Sequence, residues 1–404
     1  MRLVFATNLY PPHILGGYER LCALVRDELV RRGHEVSVLT SDHGTGGVFT
    51  GQEAARDRVY RSLRLTHPFD VPADQGLRRA RWETSHHNRH VAAELLERVR
   101  PDLVFAWSQL RLTLGVARAA RDLGIPVAYT FNDEHPLGYA VPPFGGKPRQ
   151  LARWLLDGVL LRQLTWGGLD LSHAACISRS LRERLVAGGV PVDDARVIYQ
   201  CVPGEARFVP RDDPGGLHDP ARLLFVGQLL PYKGVHTLVH AVVRLLASGR
   251  RVRLTVAGAG PADYTAQLKA LAAPFAAHIE LTGAVPPADL PGLYRQHDVF
   301  VFPSLGVEAF GLTFLEAMAS GLAVVATTGG GHAEALVDGL NALTFPPEDM
   351  PALIAALARV LDDHELRRRV ACEGLDMVRR RFTTARYVNE LEAFLGDTLH
   401  AHRG

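Results

Sequence analysis

Short apolar runs alternate with amphipathic stretches along this chain. Leu3-Val4-Phe5-Ala6 is an uninterrupted apolar run of the kind buried inside a parallel sheet. A loop containing Pro11, Pro12, Gly16 and Gly17 leads into a stretch where Leu21, Leu24, Val25 and Leu29 share one helical face, ended by Gly33. Val36, Val38 and Leu39 predict the next strand. The rhythm returns as Leu103–Ala106, a helix to Leu123 and Val127–Thr130, then as Ala174–Ile177, a helix to Ala187 and Val197–Tyr199. From Val202 to Pro220 it breaks, and Pro203, Pro210, Asp212, Asp213, Pro214, Gly215, Gly216 and Pro220 read as linker. It restarts with Leu223–Val226, a helix from Val235, Leu254–Ala257, Ile279–Leu281, Val299–Phe302, Leu322–Ala326 and Ala342–Phe345, and helices close the chain. Such alternation predicts right-handed βαβ units and two doubly wound sheets, 1–202 and 203–379, with residues 380–404 as a final helix.

Length agrees, because 404 residues exceed what one hydrophobic core organises. With 47% hydrophobic and 22% charged residues, the composition is that of a globular protein rather than a disordered one. The formal charge is +2, split as +5 up to residue 200 and −3 beyond it, which offers no nucleic-acid groove. Cys22, Cys176, Cys201 and Cys372 are too scattered for a zinc ribbon or a disulfide framework, so a reducing cytoplasm is expected. The longest uncharged run, Ala317–Ala333, is glycine-rich and too short to span a bilayer, and the amino end lacks the pattern of a secretory signal.

In open α/β sheets ligands bind beyond the carboxyl ends of the strands, so loops after strands carry the candidate chemistry. Phe225-Val226-Gly227-Gln228 leads to Pro231-Tyr232-Lys233-Gly234, and Lys233 is one of only three lysines against 42 arginines. A lysine at a strand mouth suits a point charge aimed at phosphate oxygens, though an exposed loop lysine is the plain alternative. Glu308-Ala309-Phe310-Gly311-Leu312-Thr313-Phe314-Leu315-Glu316 follows another strand. There Gly311 permits close approach to a ligand, and a helix beginning near Thr313 presents unpaired N–H groups to an anion. Glu316 has a structural explanation as the partner of Thr313 in a capping box. Glu308 needs a hydroxyl or a cation to justify its place beside an anion site. Gly329-Gly330-Gly331-His332-Ala333-Glu334 reads equally as a ligand-facing loop or a flexible turn, and Gly258-Ala259-Gly260 as a tight turn. Gly16-Gly17-Tyr18-Glu19 lacks the third glycine of a dinucleotide fingerprint, so hydride chemistry is not indicated.

Together and in this order, these motifs resemble the retaining glycosyltransferases of family 4, glycosyl transferases group 1. The resemblance runs from Gly16-Gly17-x-Glu19 through Arg32-Gly33-His34-Glu35-Val36 and Val226-Gly227…Lys233-Gly234. It continues through Pro303-Ser304…Glu308…Glu316-Ala317-Met318-Ala319 to Gly330…Glu334. It implies the GT-B fold, an α/β architecture in which two Rossmann-like domains face each other across a cleft. A carboxy-terminal helix, from Phe382 to about His400, crosses back to the amino domain. It further implies a nucleotide diphosphate sugar as donor, a hydroxyl acceptor (a sugar, a lipid-linked or a small molecule) held by the amino half with its segment Asp42–Arg89, and no cofactor or metal. Glu316 would hold the ribose hydroxyls and Val285 would lie against the base. Lys233, with backbone near Gly16-Gly17 and Leu312-Thr313, would neutralise the diphosphate. Glu308 and the backbone of Phe310-Gly311 would grip the donor sugar.

Three positions depart from the family pattern. Gln228 replaces an arginine, and a neutral donor makes a hydrogen bond about half as strong as a charged one. Asn132-Asp133 replaces His-Asp after the strand Val127–Thr130; Asn132 can bind a hydroxyl, and Asp133 can move a proton. Leu322-Ala323 replaces a proline and alters packing. His135 nearby reads as a surface loop histidine. Two alternatives share the fold: a sugar-nucleotide epimerase, and a nucleotide-sugar-binding protein without catalysis. Arg78, Arg79, Arg81, Arg98 and Arg100 leave contact with a membrane surface open beside a solvated helix face.

Overall fold

The computed structural model describes residues 1–43, 58–67, 77–141, 162–306 and 308–403. The chain divides into two units, Met1–Tyr199 with Val388–Gly404, and Gln200–Tyr387.

The first unit is built on a parallel sheet of seven strands: β1 (Arg2–Thr7), β2 (Glu35–Ser41), β3 (Val59–Leu63), β4 (Leu103–Ala106), β5 (Val127–Phe131), β6 (Ala174–Cys176) and β7 (Arg196–Val197). Their order is β3-β2-β1-β4-β5-β6-β7. Val4, Phe5 and Ala6 lie beside Val104, Phe105 and Ala106 in register, all buried, as apolar runs covered on both faces must be. Helix α1 (Gly17–Arg31) follows β1 and stops where Gly33 takes a φ of +89°. Helices α2 (Leu77–Val99), α3 (Gly115–Asp122) and α4 (Arg179–Ala187) also belong to this unit, with α2 packed on α3, as does the last helix of the chain from Val388 onward. Gly115 belongs to that contact: a Cβ there would lie 2.5 Å from the Ser85 carbonyl oxygen. Strand β3 carries little signal in the sequence, since Val59–Leu63 is only half-buried over most of its length.

The second unit has six parallel strands: β8 (Ala221–Val226), β9 (Val252–Ala257), β10 (Ile279–Gly283), β11 (Val299–Phe302), β12 (Ala323–Thr327) and β13 (Leu343–Phe345). They run in the order β10-β9-β8-β11-β12-β13. Helices α5 (Val235–Ala247), α6 (Ala262–Ala272), α7 (Leu290–Arg295), α8 (Thr313–Ala319), α9 (Met350–Asp362) and α10 (His364–Arg381) cover it, and α11 (Thr384–Arg403) ends the chain. Leu238, Val239 and Val242 of α5 join Phe225, Val256 and Val301 in one apolar cluster.

The segment read as linker is fastened to the second unit. Asp298 is fully buried, and one carboxylate oxygen accepts from Arg211 and from His218 Nδ1, each at 2.7 Å. Its other oxygen accepts the backbone N–H groups of His218 (3.0 Å) and Arg222 (2.8 Å). A buried carboxylate is tolerable only when satisfied in this way. Proline and glycine there mark bends in an ordered strap.

In both sheets the first strand lies third from one edge, and strand order reverses beside it, between β1 and β4 and between β8 and β11. No helix among the described residues is long and apolar enough to cross a membrane. Residues 44–57 and 68–76 of Asp42–Arg89, like Lys147, fall outside the described residues.

Candidate active site

At the reversal in the second sheet, the carboxyl ends of β8 and β11 border a cavity with about 350 Å³ of empty space, open solvent included. Phe225, Val226 and Gly227 line it from the end of β8 and the loop after it, and Phe302, Pro303 and Ser304 from the end of β11 and its loop. Lys233, Glu308, Gly311, Leu312 and Thr313 complete it, so five of the residues expected to bind the donor share one surface.

Lys233 reaches the cavity through a tight turn. Pro231–Lys233 forms one turn of 3-10 helix, and Gly234 then takes a φ of +67° at the start of α5. A Cβ on Gly234 would lie 2.0 Å from the Pro303 carbonyl oxygen, so glycine is required both by the dihedral and by the space. The close approach binds the loop after β8 to the loop after β11, where the Leu305 N–H also donates to the Tyr232 carbonyl at 2.8 Å.

The cation that Glu308 called for is Lys233, whose Nζ lies 2.5 Å from Glu308 Oε2, with both side chains largely buried. The hydroxyl is Ser304, whose Oγ donates to the same oxygen at 3.1 Å. The Gly331 N–H donates to the Glu308 carbonyl at 2.9 Å. Gly330 has a φ of +82°, and a Cβ on it would lie 2.6 Å from that carbonyl. Gly329 and Gly330 are therefore packed rather than loose: their missing side chains let the chain lie directly on the backbone of Gly306 and Glu308. Gly258 and Gly260 behave alike, since a Cβ would lie 1.8 Å from the Gly227 carbonyl oxygen and 2.0 Å from that of Leu229.

Glu316 departs from the capping-box reading. The residue before α8 is Leu312, with no side-chain cap; Thr313 is already the first helical residue. Glu316 is therefore one turn inside the helix, where it cannot reach back to close a box. It is 2% exposed, and its Oε2 accepts the hydroxyl of the fully buried Tyr294 at 3.0 Å. Tyr294 lies 22 residues earlier, on α7, and nothing in the local spacing pointed to it.

Phe310 is buried against Phe314 and Phe382, with ring centroids at 5.7 Å and 5.8 Å, and only its backbone can face a ligand. Gln228 is exposed and Val285 half-exposed, in the loops after β8 and β10; neither borders the cavity.

In the first unit, the Gly16 N–H donates to the buried carboxylate of Glu19 at 3.0 Å, capping α1, while a Cβ at Gly16 would meet nothing within 4 Å. Gly17 is the first residue of α1. After β5, Asn132 Nδ2 donates to the hydroxyl of Tyr18 (3.2 Å) and to the Trp107 carbonyl (3.3 Å). The Tyr18 hydroxyl donates to that same carbonyl. Asp133 accepts the His135 N–H at 2.8 Å, and burial raises its carboxyl above the usual range. His135 is a correction to the surface reading. It is half-buried, packs edge-on against Tyr139, and is held neutral by burial and by the charges of Arg81 and Arg111, its pKa pushed down to about 4.

The described residues contain no group of three or more His, Cys, Asp or Glu side chains placed to hold a metal ion.

Residues 15–205 match the family model "Glycosyltransferase Family 4", and residues 211–375 match "Glycosyl transferases group 1". The chain is 27% identical to a glycogen synthase of Mycobacterium tuberculosis over 389 residues, covering 90% of this chain and 86% of that one. It is 26% identical to a GDP-mannose-dependent alpha-(1-6)-phosphatidylinositol monomannoside mannosyltransferase of Mycolicibacterium smegmatis, covering 92% of each. Among solved structures it superposes on sucrose-phosphate synthase of Thermosynechococcus elongatus with a TM-score of 0.75, at 18% identity over 99% of both chains. On Anabaena HepE in complex with UDP and glucose the TM-score is 0.72, at 18% identity over 98% of this chain and 100% of the other. Two parallel Rossmann-like sheets, a charged cavity at a switch point and these matches converge on one assignment: the chain is a glycosyltransferase of family 4, group 1, with the GT-B fold.

Proposed function

We propose that this enzyme moves a sugar from a nucleotide diphosphate sugar to a hydroxyl acceptor, with retention of anomeric configuration and without a metal. The observation that carries the reading is the Lys233–Glu308 pair at 2.5 Å inside the β8–β11 cavity. Glycosyl transfer separates charge between an oxocarbenium-like sugar and a departing diphosphate, so a fixed cation near the diphosphate stabilises the transition state more than the ground state. Lys233 would supply that charge, helped by backbone at Leu312-Thr313. Glu308 and the backbone of Phe310-Gly311 would hold the sugar hydroxyls, and Glu316 the ribose, its carboxylate already oriented by Tyr294.

No carboxylate is assigned as a covalent nucleophile. Retention would then be a front-face substitution, in which the leaving phosphate oxygen takes the acceptor proton as the new bond forms. On the acceptor side Asn132 would bind a hydroxyl, and Asp133, whose burial favours its protonated form, would exchange a proton. Names among the relatives support a nucleotide-sugar donor without choosing one, since GDP-mannose stands in one and UDP in another.

The test is a thermal-shift screen of UDP-, GDP-, ADP- and dTDP-sugars, followed by transfer assays with the donor that stabilises the fold. Proton NMR of the product should show the donor's anomeric configuration, and turnover should survive EDTA. An inverted product would overturn retention, and loss of activity restored by Mg²⁺ would overturn metal independence.

A further inference from the structure

Beneath Glu308 the structure holds a second layer of polar groups that the proposed chemistry does not use. The Ser304 hydroxyl donates to Glu308, and the Ser304 carbonyl in turn accepts from Thr327 Oγ1 at 2.7 Å. Thr327 ends β12, the strand next to β11, and is fully buried. Its hydroxyl has a single hydrogen, committed to Ser304, so at its 3.1 Å contact with His332 Nε2 it acts as acceptor. The hydrogen then resides on His332 Nε2, which also reaches the Thr327 carbonyl at 2.9 Å. This leaves His332 Nδ1 as the bare lone pair, and that atom is buried with no partner among the described residues. The imidazole is fully buried, with its ring 4.8 Å from that of Phe302 and 6.4 Å from that of Phe314.

We propose that Thr327 and His332 are positioning residues for Glu308, acting through Ser304. A side chain in an active site is useful only when its orientation is fixed to within fractions of an ångström, and that is supplied by packed groups behind it. Here His332 orients the Thr327 hydroxyl, Thr327 holds the Ser304 backbone, and Ser304 presents its own hydroxyl to the carboxylate. A valine at position 327 would fill the same space and leave the Ser304 carbonyl without its Thr327 donor. The proposal rests on Glu308 as a ligand of the donor sugar; that the three residues form a polar column does not.

Three variants, Thr327→Val, Thr327→Ser and Ser304→Ala, test it with the donor identified by the screen. Thr327→Val conserves volume and deletes the hydroxyl, whereas Thr327→Ser does the reverse. Expected are a fall in kcat of at least fivefold for Thr327→Val and Ser304→Ala, with affinity for the bare nucleoside diphosphate within twofold of wild type. Thr327→Ser should recover most of the lost rate. If Thr327→Val matches wild type, or Thr327→Ser loses as much rate as Thr327→Val, the hydroxyl is not the operative group and the proposal fails. If Thr327→Val does not fold, Ser304→Ala and a spectroscopic measurement decide. With ¹⁵N-labelled histidine at neutral pH, His332 should be the Nε2–H tautomer, and an Nδ1–H tautomer would overturn the column. A wild type that accepts no nucleotide sugar would end the donor-site reading instead, and the tautomer would still be decided.

Discussion

Nζ of Lys233 lies 2.5 Å from Oε2 of Glu308, joining side chains 75 residues apart through the loops of two neighbouring strands. Each charge has its counter-charge in a largely buried place, where an unpaired ion would be costly. A diphosphate entering this cavity would compete with Glu308 for the ammonium, and sugar hydroxyls would compete for the carboxylate. The pair thus keeps both groups ordered in the absence of ligand.

Lys233→Ala should lower transfer at least tenfold while the protein stays folded. Activity and melting temperature measured on the same preparation check this, and unchanged turnover would remove Lys233 from the chemistry.

Tyr294→Phe deletes only the hydroxyl that donates to Glu316. Losing a donor to a buried carboxylate should cost about 1–3 kcal/mol of stability and weaken binding of the nucleotide. Denaturant unfolding and calorimetric titration read the two effects separately. Glu316→Ala should weaken nucleotide binding more than Tyr294→Phe does, because it removes the proposed ribose ligand itself.

Gly330→Ala combines a φ of +82° with a Cβ 2.6 Å from the Glu308 carbonyl oxygen. Strain of this kind costs about 1–3 kcal/mol, and relief would displace Glu308, so stability and donor affinity should fall together. Gly16→Ala is the contrast: extended backbone and no atom within 4 Å of the new Cβ predict an unchanged melting temperature.

Stability should fall on acidification from neutral pH. His332 and His135 are held neutral by burial, both pushed down to about 4, whereas in the unfolded chain each takes up a proton near 6.5. The unfolded state therefore binds more protons between these values, so stability rises with pH across that window and is complete above it. At one pH unit per about 1.4 kcal/mol, His332 contributes up to about 3 kcal/mol of this dependence. Melting temperatures from pH 7.5 to 4.5 test it, and His332→Gln should flatten the slope.

Much of the architecture was legible in the chain itself. The apolar runs at Leu3–Ala6, Leu103–Ala106, Leu223–Val226 and Val299–Phe302 are strands because four consecutive buried positions suit a sheet covered on both faces. The loops after β8 and β11 could be named as the chemical ones because α/β topology places ligands there. Local pattern also misled. Thr313-x-x-Glu316 has the spacing of a capping box, yet Thr313 lies inside the helix; Pro and Gly between 202 and 220 mark a linker but give no sign that Asp298 fastens it.

Periodicity reports whether a residue is covered, and so the amino-acid order alone determined the buried strands, most of the helices and the two-sheet plan, but not the half-buried β3. It does not report by what a residue is covered, because that depends on which strands become neighbours. Strand order brought Lys233 to Glu308, Tyr294 to Glu316 and Thr327 to Ser304, and only the folded chain could decide those three contacts.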